Sequence, residues 1–106
     1  MAQFDVHHNP GRSRAAIPFV VVVQTAAFDE FRRRVVVPLV RKSHIPSIHH
    51  ERFNPTFVIE GIPVVLHPLE IVSTPLDALG EPVASLADED GRIVDALDEL
   101  FTRAYG

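Results

Sequence analysis

The chain has 106 residues, 46% of them hydrophobic, which suits one domain over residues 1–106 burying roughly 65% of its unfolded surface. It has no cysteine, no charged-then-apolar leader and no apolar run near the roughly 20 residues of a bilayer span, so a cytoplasmic protein is expected, without membrane attachment. The net charge of -4 divides unevenly: residues 1–53 hold eight Lys or Arg against four Asp or Glu, and residues 54–106 hold two against ten, so the halves either complement each other or leave a basic face for an acidic partner.

Nine prolines are spread between Pro10 and Pro82 and none follows, a spacing that favours short strands and turns and then one helix. Residues 3–7 alternate, with Phe4 and Val6 on one face and Gln3, Asp5 and His7 on the other, the pattern of a half-buried first strand. Residues 9–14, Asn-Pro-Gly-Arg-Ser-Arg, carry the chemistry of a mobile surface loop. Residues 17–24 and 34–40 are continuous β-branched runs, as expected of strands covered on both faces. Pro38 suggests that the second of these bulges or runs along an edge.

Residues 56–66 form a hairpin pattern around Ile59-Glu60-Gly61-Ile62, in which Gly61 supplies the positive φ of a primed turn. A short strand over 70–73 and a turn at Gly80-Glu81-Pro82 follow. The period then changes. Ile93, Val94, Leu97, Leu100, Phe101 and Ala104 fall on an arc of roughly 120° at helical spacing, opposite Asp95, Asp98 and Glu99. Asp88, Glu89 and Asp90 suit the positive end of its dipole, with Ser85 or Asp88 available as a cap. The residues describe a mainly β, α+β protein of antiparallel strands closed by one C-terminal helix.

Catalytic chemistry is poorly represented. None of the six histidines pairs at i, i+4 on a plausible helix; His50-Glu51-Arg52-Phe53-Asn54 has asparagine where a zinc site needs its second histidine. Residues 11–15 match a nucleophile elbow only in part, and no glycine-rich phosphate loop or catalytic cysteine occurs. Asn54-Pro55-Thr56 is disqualified as a glycosylation acceptor by its proline. No catalytic residue, metal or cofactor is expected. Arg32, Arg33 and Arg34, with Arg41 and Lys42, could clamp phosphates while Phe28 and Phe31 stack bases, but three consecutive strand residues cannot share a face; a solvated or dimer-interface basic patch is the simpler account.

Taken together these residues resemble the CcdB family, the toxins of bacterial toxin-antitoxin modules. The resemblance rests on Gln3-Phe4-x-Val6, Val23-Gln24 followed by Arg33-Arg34-x-Val36-x-Pro38-Leu39, Asn54-Pro55 with its hairpin, Gly80-Glu81-x-Val83-Ala84-x-Leu86, and a helix ending in Leu100-Phe101. It implies an SH3-like, CcdB-like barrel with a small side sheet, a homodimer, and a poison rather than an enzyme: such toxins bind the A subunit of DNA gyrase and trap the cleaved-DNA complex. It also implies a CcdA-like antitoxin with a disordered C-terminal segment, the two together repressing their operon, so that DNA is met only through the antitoxin complex.

By the same resemblance the gyrase-binding residues are Ala27 and Phe28 in one loop and Asp98, Phe101, Thr102, Arg103, Ala104, Tyr105 and Gly106 at the C-terminus. Gyrase-active relatives carry Trp-Gly-Ile where Thr102-Arg103-Ala104 stand here. The antitoxin-binding regions correspond to Asn9, Gly11, Arg12, Ser13 and Arg14, and to His44, Ile45, Ile48, His49 and Arg52. Two alternatives stay open. Messenger-RNA-cleaving toxins share the SH3-like fold, and His7, Arg14 and Asp29 could be recruited for such an endoribonuclease; or the chain is a non-poisoning dimer that only binds antitoxin and co-represses.

Overall fold

The computed structural model of the protein describes residues 2–45 and 50–101. Its strands in chain order are β1 (Asp5–His8), β2 (Phe19–Val22), β3 (Arg33–Arg41), β4 (Thr56–Ile59), β5 (Ile62–Leu66), β6 (Val72–Pro75) and β7 (Ala84–Ser85), followed by the helix α1 (Asp90–Phe101). Six strands in the order β4-β5-β3-β2-β1-β7 make a nearly closed antiparallel barrel, and β6 pairs with β3 as a side strand.

Strands β2 and β3 are buried on both faces, as their unbroken valine runs predict. Phe19, Val21, Val37 and Leu39 face the main core with Phe4, Val6, Phe57, Val64, Leu66, Leu86, Ile93 and Ala96. Val20, Val22 and Val36 face a second, smaller cluster closed by Leu79.

That second cluster corrects the reading of β1 as half-buried. His7 pairs across the strands with Val20 and is fully buried; its Nδ1 lies 2.9 Å from the carbonyl oxygen of Gly80, and its Nε2 has no hydrogen-bond partner. The segment that leaves β6 and passes through Leu79 and Gly80 covers this face, a long-range event that alternation within β1 does not encode. Phe4, just before β1, takes φ 70 yet still delivers its ring to the main core. Such a backbone costs a bulky residue on the order of 1–2 kcal/mol, which burial of the ring offsets.

Pro38 does not lie on an edge. Strand β3 pairs with β2 along one side, while its other side pairs with β6 through residues 33–36 and with β5 through residues 39–41. Pro38 falls at the handover, where the missing N–H interrupts neither ladder, and its carbonyl still accepts from the His67 amide at 3.0 Å.

The β4–β5 hairpin closes through Ile59 and Ile62, with φ 51 at Glu60 and φ 78 at Gly61, the two positive angles of a type I′ turn. The end strand β4 and the side strand β6 each meet an arginine. Thr56 of β4 accepts from Arg92 through its carbonyl at 2.7 Å, and Ser73 of β6 accepts from Arg33 through both Oγ and carbonyl, at 2.7 and 3.0 Å. Charged caps of this kind keep strand edges from recruiting another chain.

Helix α1 follows a 3-10 turn, Ala87–Glu89, whose first amide donates to Ser85 Oγ at 3.2 Å. Ile93 and Ala96 are buried and Leu97 and Leu100 half-buried, whereas Val94 and Phe101 are exposed, 45% and 63%. The expected stripe is therefore displaced. Ala96 is small enough to let the helix backbone approach the sheet, so the contact arc centres on Ile93 and Leu100, and Val94 and Phe101 fall about 80–100° round from it. Ala104 lies outside the described residues.

Candidate functional site

The β2–β3 connection is built by side chains that turn its carbonyls inward. Thr25 Oγ1 accepts from Ala27 N at 3.4 Å and caps a 3-10 turn over Ala26–Phe28; the amides of Phe28, Asp29 and Phe31 donate to the carbonyls of Thr25, Ala26 and Phe28. Gln24 Nε2 donates to the carbonyls of Arg33, at 3.2 Å, and Phe28, at 3.4 Å, while its Oε1 accepts from Val35 N at 3.1 Å.

Beneath the loop lies Arg34, only 3% exposed. Its Nη1 donates to the carbonyls of Phe31, at 2.6 Å, and Arg33, at 2.9 Å, its Nη2 to that of Asp29 at 3.0 Å, and its Nε lies 3.6 Å from Asp29 Oδ1. Ala27 is exposed, and so are the rings of Phe28 and Phe31, 52% and 59%, with centroids 6.3 Å apart. The triple arginine is split as its strand setting requires: Arg34 is internal, Arg32 pairs with Asp77 at 2.7 Å, and Arg33 is held by Ser73.

A second apolar edge lies on α1, where exposed Val94 and Phe101 stand two turns apart beside exposed Asp98. Single exposed apolar side chains, such as Val58 and Leu69, are ordinary; Phe28 with Phe31, and Val94 with Phe101, stand in pairs. Thr102, Arg103, Ala104, Tyr105 and Gly106 lie outside the described residues.

A family model described as CcdB protein matches residues 3–103. The chain belongs to the CcdB family. Membership places it among the toxins of toxin-antitoxin modules. No curated protein matches it significantly.

In this CcdB-family chain, residues 9–14 are tied by side-chain hydrogen bonds. Asn9 Oδ1 accepts from Gly11 N and its Nδ2 donates to the carbonyl of Ile17, both at 2.9 Å, while Arg14 Nε donates to the Asn9 carbonyl at 2.8 Å. Arg12, Ser13 and Arg14 are nonetheless exposed. Arg41, at the end of β3, donates to the carbonyls of Ala16 and Ala15, joining this loop to the chain that continues into residues 42–45. His44 is exposed and Ile45 half-buried; Ile48 and His49 lie outside the described residues.

Arg52 turns toward the helix, its guanidinium 2.7 Å from Glu99 Oε1 and 3.5 Å from Asp95 Oδ1. The two surfaces assigned from sequence thus abut at α1. Together with Arg32 and Asp77, this pairing shows the basic and acidic halves complementing each other within the fold.

The three residues offered for ribonuclease chemistry do not converge. His7 is sealed in the second core, Arg14 sits in the β1–β2 loop, and Asp29 holds Arg34 in the β2–β3 loop at the opposite end of the sheet. Among the described residues no three His, Asp or Glu side chains are grouped to hold a metal ion, and no helix is long and apolar enough to cross a membrane. Sequence reasoning named Phe28 and Phe31 together only as rings that could stack on bases, and it missed Arg34 as the group beneath them. The available signal was strand parity: Arg34 shares the face of Val36, which is buried.

Proposed function

We propose that this protein is a homodimeric cytoplasmic toxin that binds the A subunit of DNA gyrase and traps the enzyme with its DNA cleaved, and that a cognate antitoxin with a disordered segment neutralises it. One observation carries the reading. Phe28 and Phe101, rings that folding ordinarily buries, stand exposed at two places where the family resemblance puts gyrase contacts. A poison of this kind needs differential affinity for one state of its target and no reactive group of its own, in keeping with the scattered His7, Arg14 and Asp29.

Arg12 and Arg14 give an acidic, disordered antitoxin segment a basic surface on which to order, adjoining the stretch through His44 and Ile45. In that complex the toxin meets operator DNA only through the antitoxin. The decisive experiment incubates purified protein with gyrase, ATP and supercoiled DNA, then adds detergent and protease. Linear DNA that accumulates with toxin concentration is expected. No cleaved DNA at saturating protein would instead favour a non-poisoning antitoxin binder, consistent with Thr102-Arg103-Ala104 in place of Trp-Gly-Ile.

A further inference from the structure

We infer that Arg34 is a positioning residue for target binding and that Phe31 is a second anchor beside Phe28, the two rings acting as one preformed surface on an apolar, basic-rimmed face of the gyrase A subunit. The inference rests on the reading just given and extends it to residues that the family resemblance did not assign to contact.

The physical argument begins at the guanidinium. A buried arginine must place its N–H groups on acceptors, and here three bonds go to the backbone carbonyls of Asp29, Phe31 and Arg33. Drawing those carbonyls inward leaves the side chains of Phe28 and Phe31 facing solvent. Gln24 secures the same loop from β2 by bonding Phe28 and Arg33. The rings are therefore exposed because the backbone beneath them is satisfied from inside; they cannot collapse onto the sheet without breaking those bonds. An anchor fixed in its bound geometry loses little freedom on association, the usual source of affinity in small interfaces.

The chemistry of the rim selects the partner. The charges adjoining the rings are Asp29 and Glu30 on one side and Arg32 on the other; Arg32 is paired with Asp77 at 2.7 Å and Arg33 is held by Ser73, which leaves Glu30 as the exposed charge between the rings. Acidic residues between the rings, with the neighbouring arginines already engaged, disfavour a phosphate backbone and fit a protein surface with basic residues around an apolar centre.

The test combines two readouts on the full chain. Binding to purified gyrase A subunit is measured by titration calorimetry for wild type, Phe28→Ala, Phe31→Ala, Arg34→Lys and, as a control away from the loop, Val58→Ala. Amide exchange is measured on the free proteins. Phe31→Ala is expected to weaken binding about tenfold or more, as truncation of an aromatic anchor does, with Val58→Ala unchanged. Arg34→Lys keeps the charge but cannot span three carbonyls, so exchange at the Phe28, Asp29 and Phe31 amides should quicken about tenfold while β4–β5 amides hold, and binding should fall with it.

Wild-type affinity in Phe31→Ala would overturn the anchor. Unchanged loop exchange in Arg34→Lys would overturn the positioning role. Failure of the wild type itself to bind the A subunit would sink the gyrase reading and the anchor with it, while the exchange arm would still decide whether Arg34 holds the loop.

Discussion

The two ends of the β1–β2–β3 sheet carry connections that look alike in sequence, short and rich in polar and small residues, but they are organised by different physics. At one end, residues 25–32 are held from below by a buried guanidinium and from the side by Gln24, and they present aromatic rings. At the other, residues 9–16 fold on themselves through Asn9 and lean on Arg41, and they present charge. The first loop has its shape imposed by the core; the second has a local turn whose outer residues answer to no buried group. A rigid apolar surface suits a folded target, and an exposed basic loop suits a partner that orders as it binds.

The comparison assumes one shared scaffold, and the largest effect tests that. Ile93→Ala removes a fully buried side chain where α1 meets the main core and is expected to cost about 4 kcal/mol. In urea unfolding, probes placed in either loop should report the same lowered midpoint. Separate midpoints would mean that the two ends belong to different cooperative units.

Arg34→Ala separates the ends. It strands carbonyls of the β2–β3 loop and empties a buried site, at an expected cost of about 3 kcal/mol. Amides of residues 25–33 should lose exchange protection while those around Asn9 keep theirs. Equal loss at both ends would show that the guanidinium supports the whole barrel rather than its own loop.

Asn9→Ala is the counterpart. It removes acceptance from Gly11 N and donation to Ile17, with an expected cost of about 1 kcal/mol. Chemical-shift changes should stay within residues 9–17, and gyrase A affinity should be that of the wild type. A shift reaching Phe28 would show the two ends to be coupled.

How much of this was legible in the sequence depends on how local each cause is. The hairpin was legible because Gly61 writes its own turn, and β2 and β3 because a strand buried on both faces has no polar positions to spare. His7 was not, since what buries it is a segment some 73 positions away in the chain. The helix was legible as a helix, but not the arc it buries, because Ala96 rather than Leu97 sets its distance from the sheet. Phe28 and Phe31 could be read as apolar; that they point outward follows from Arg34, which strand parity with Val36 separates from Arg33 but not from Arg32. Residues 46–49 and 102–106, which hold several of the assigned contacts, lie outside the described residues.

The smallest effect concerns the seam between the assigned surfaces. Arg52 is about half-exposed and meets Glu99 at 2.7 Å and Asp95 at 3.5 Å on α1. Solvent screens both pairs, so Arg52→Ala is expected to cost less than about 1 kcal/mol and to lose most of that difference as salt is raised. Its functional consequence should exceed its thermodynamic one, because Arg52, assigned from sequence to antitoxin binding, meets the helix that carries Asp98 and Phe101. An occupant of either surface meets a helix face that has lost the Arg52 cation beside Asp95 and Glu99. If Arg52→Ala alters gyrase A and antitoxin binding together, the two surfaces share this seam and their occupants compete for it. If it alters neither, the contact of Arg52 with α1 is a surface ion pair without functional weight, and the ends of the sheet act independently of the helix.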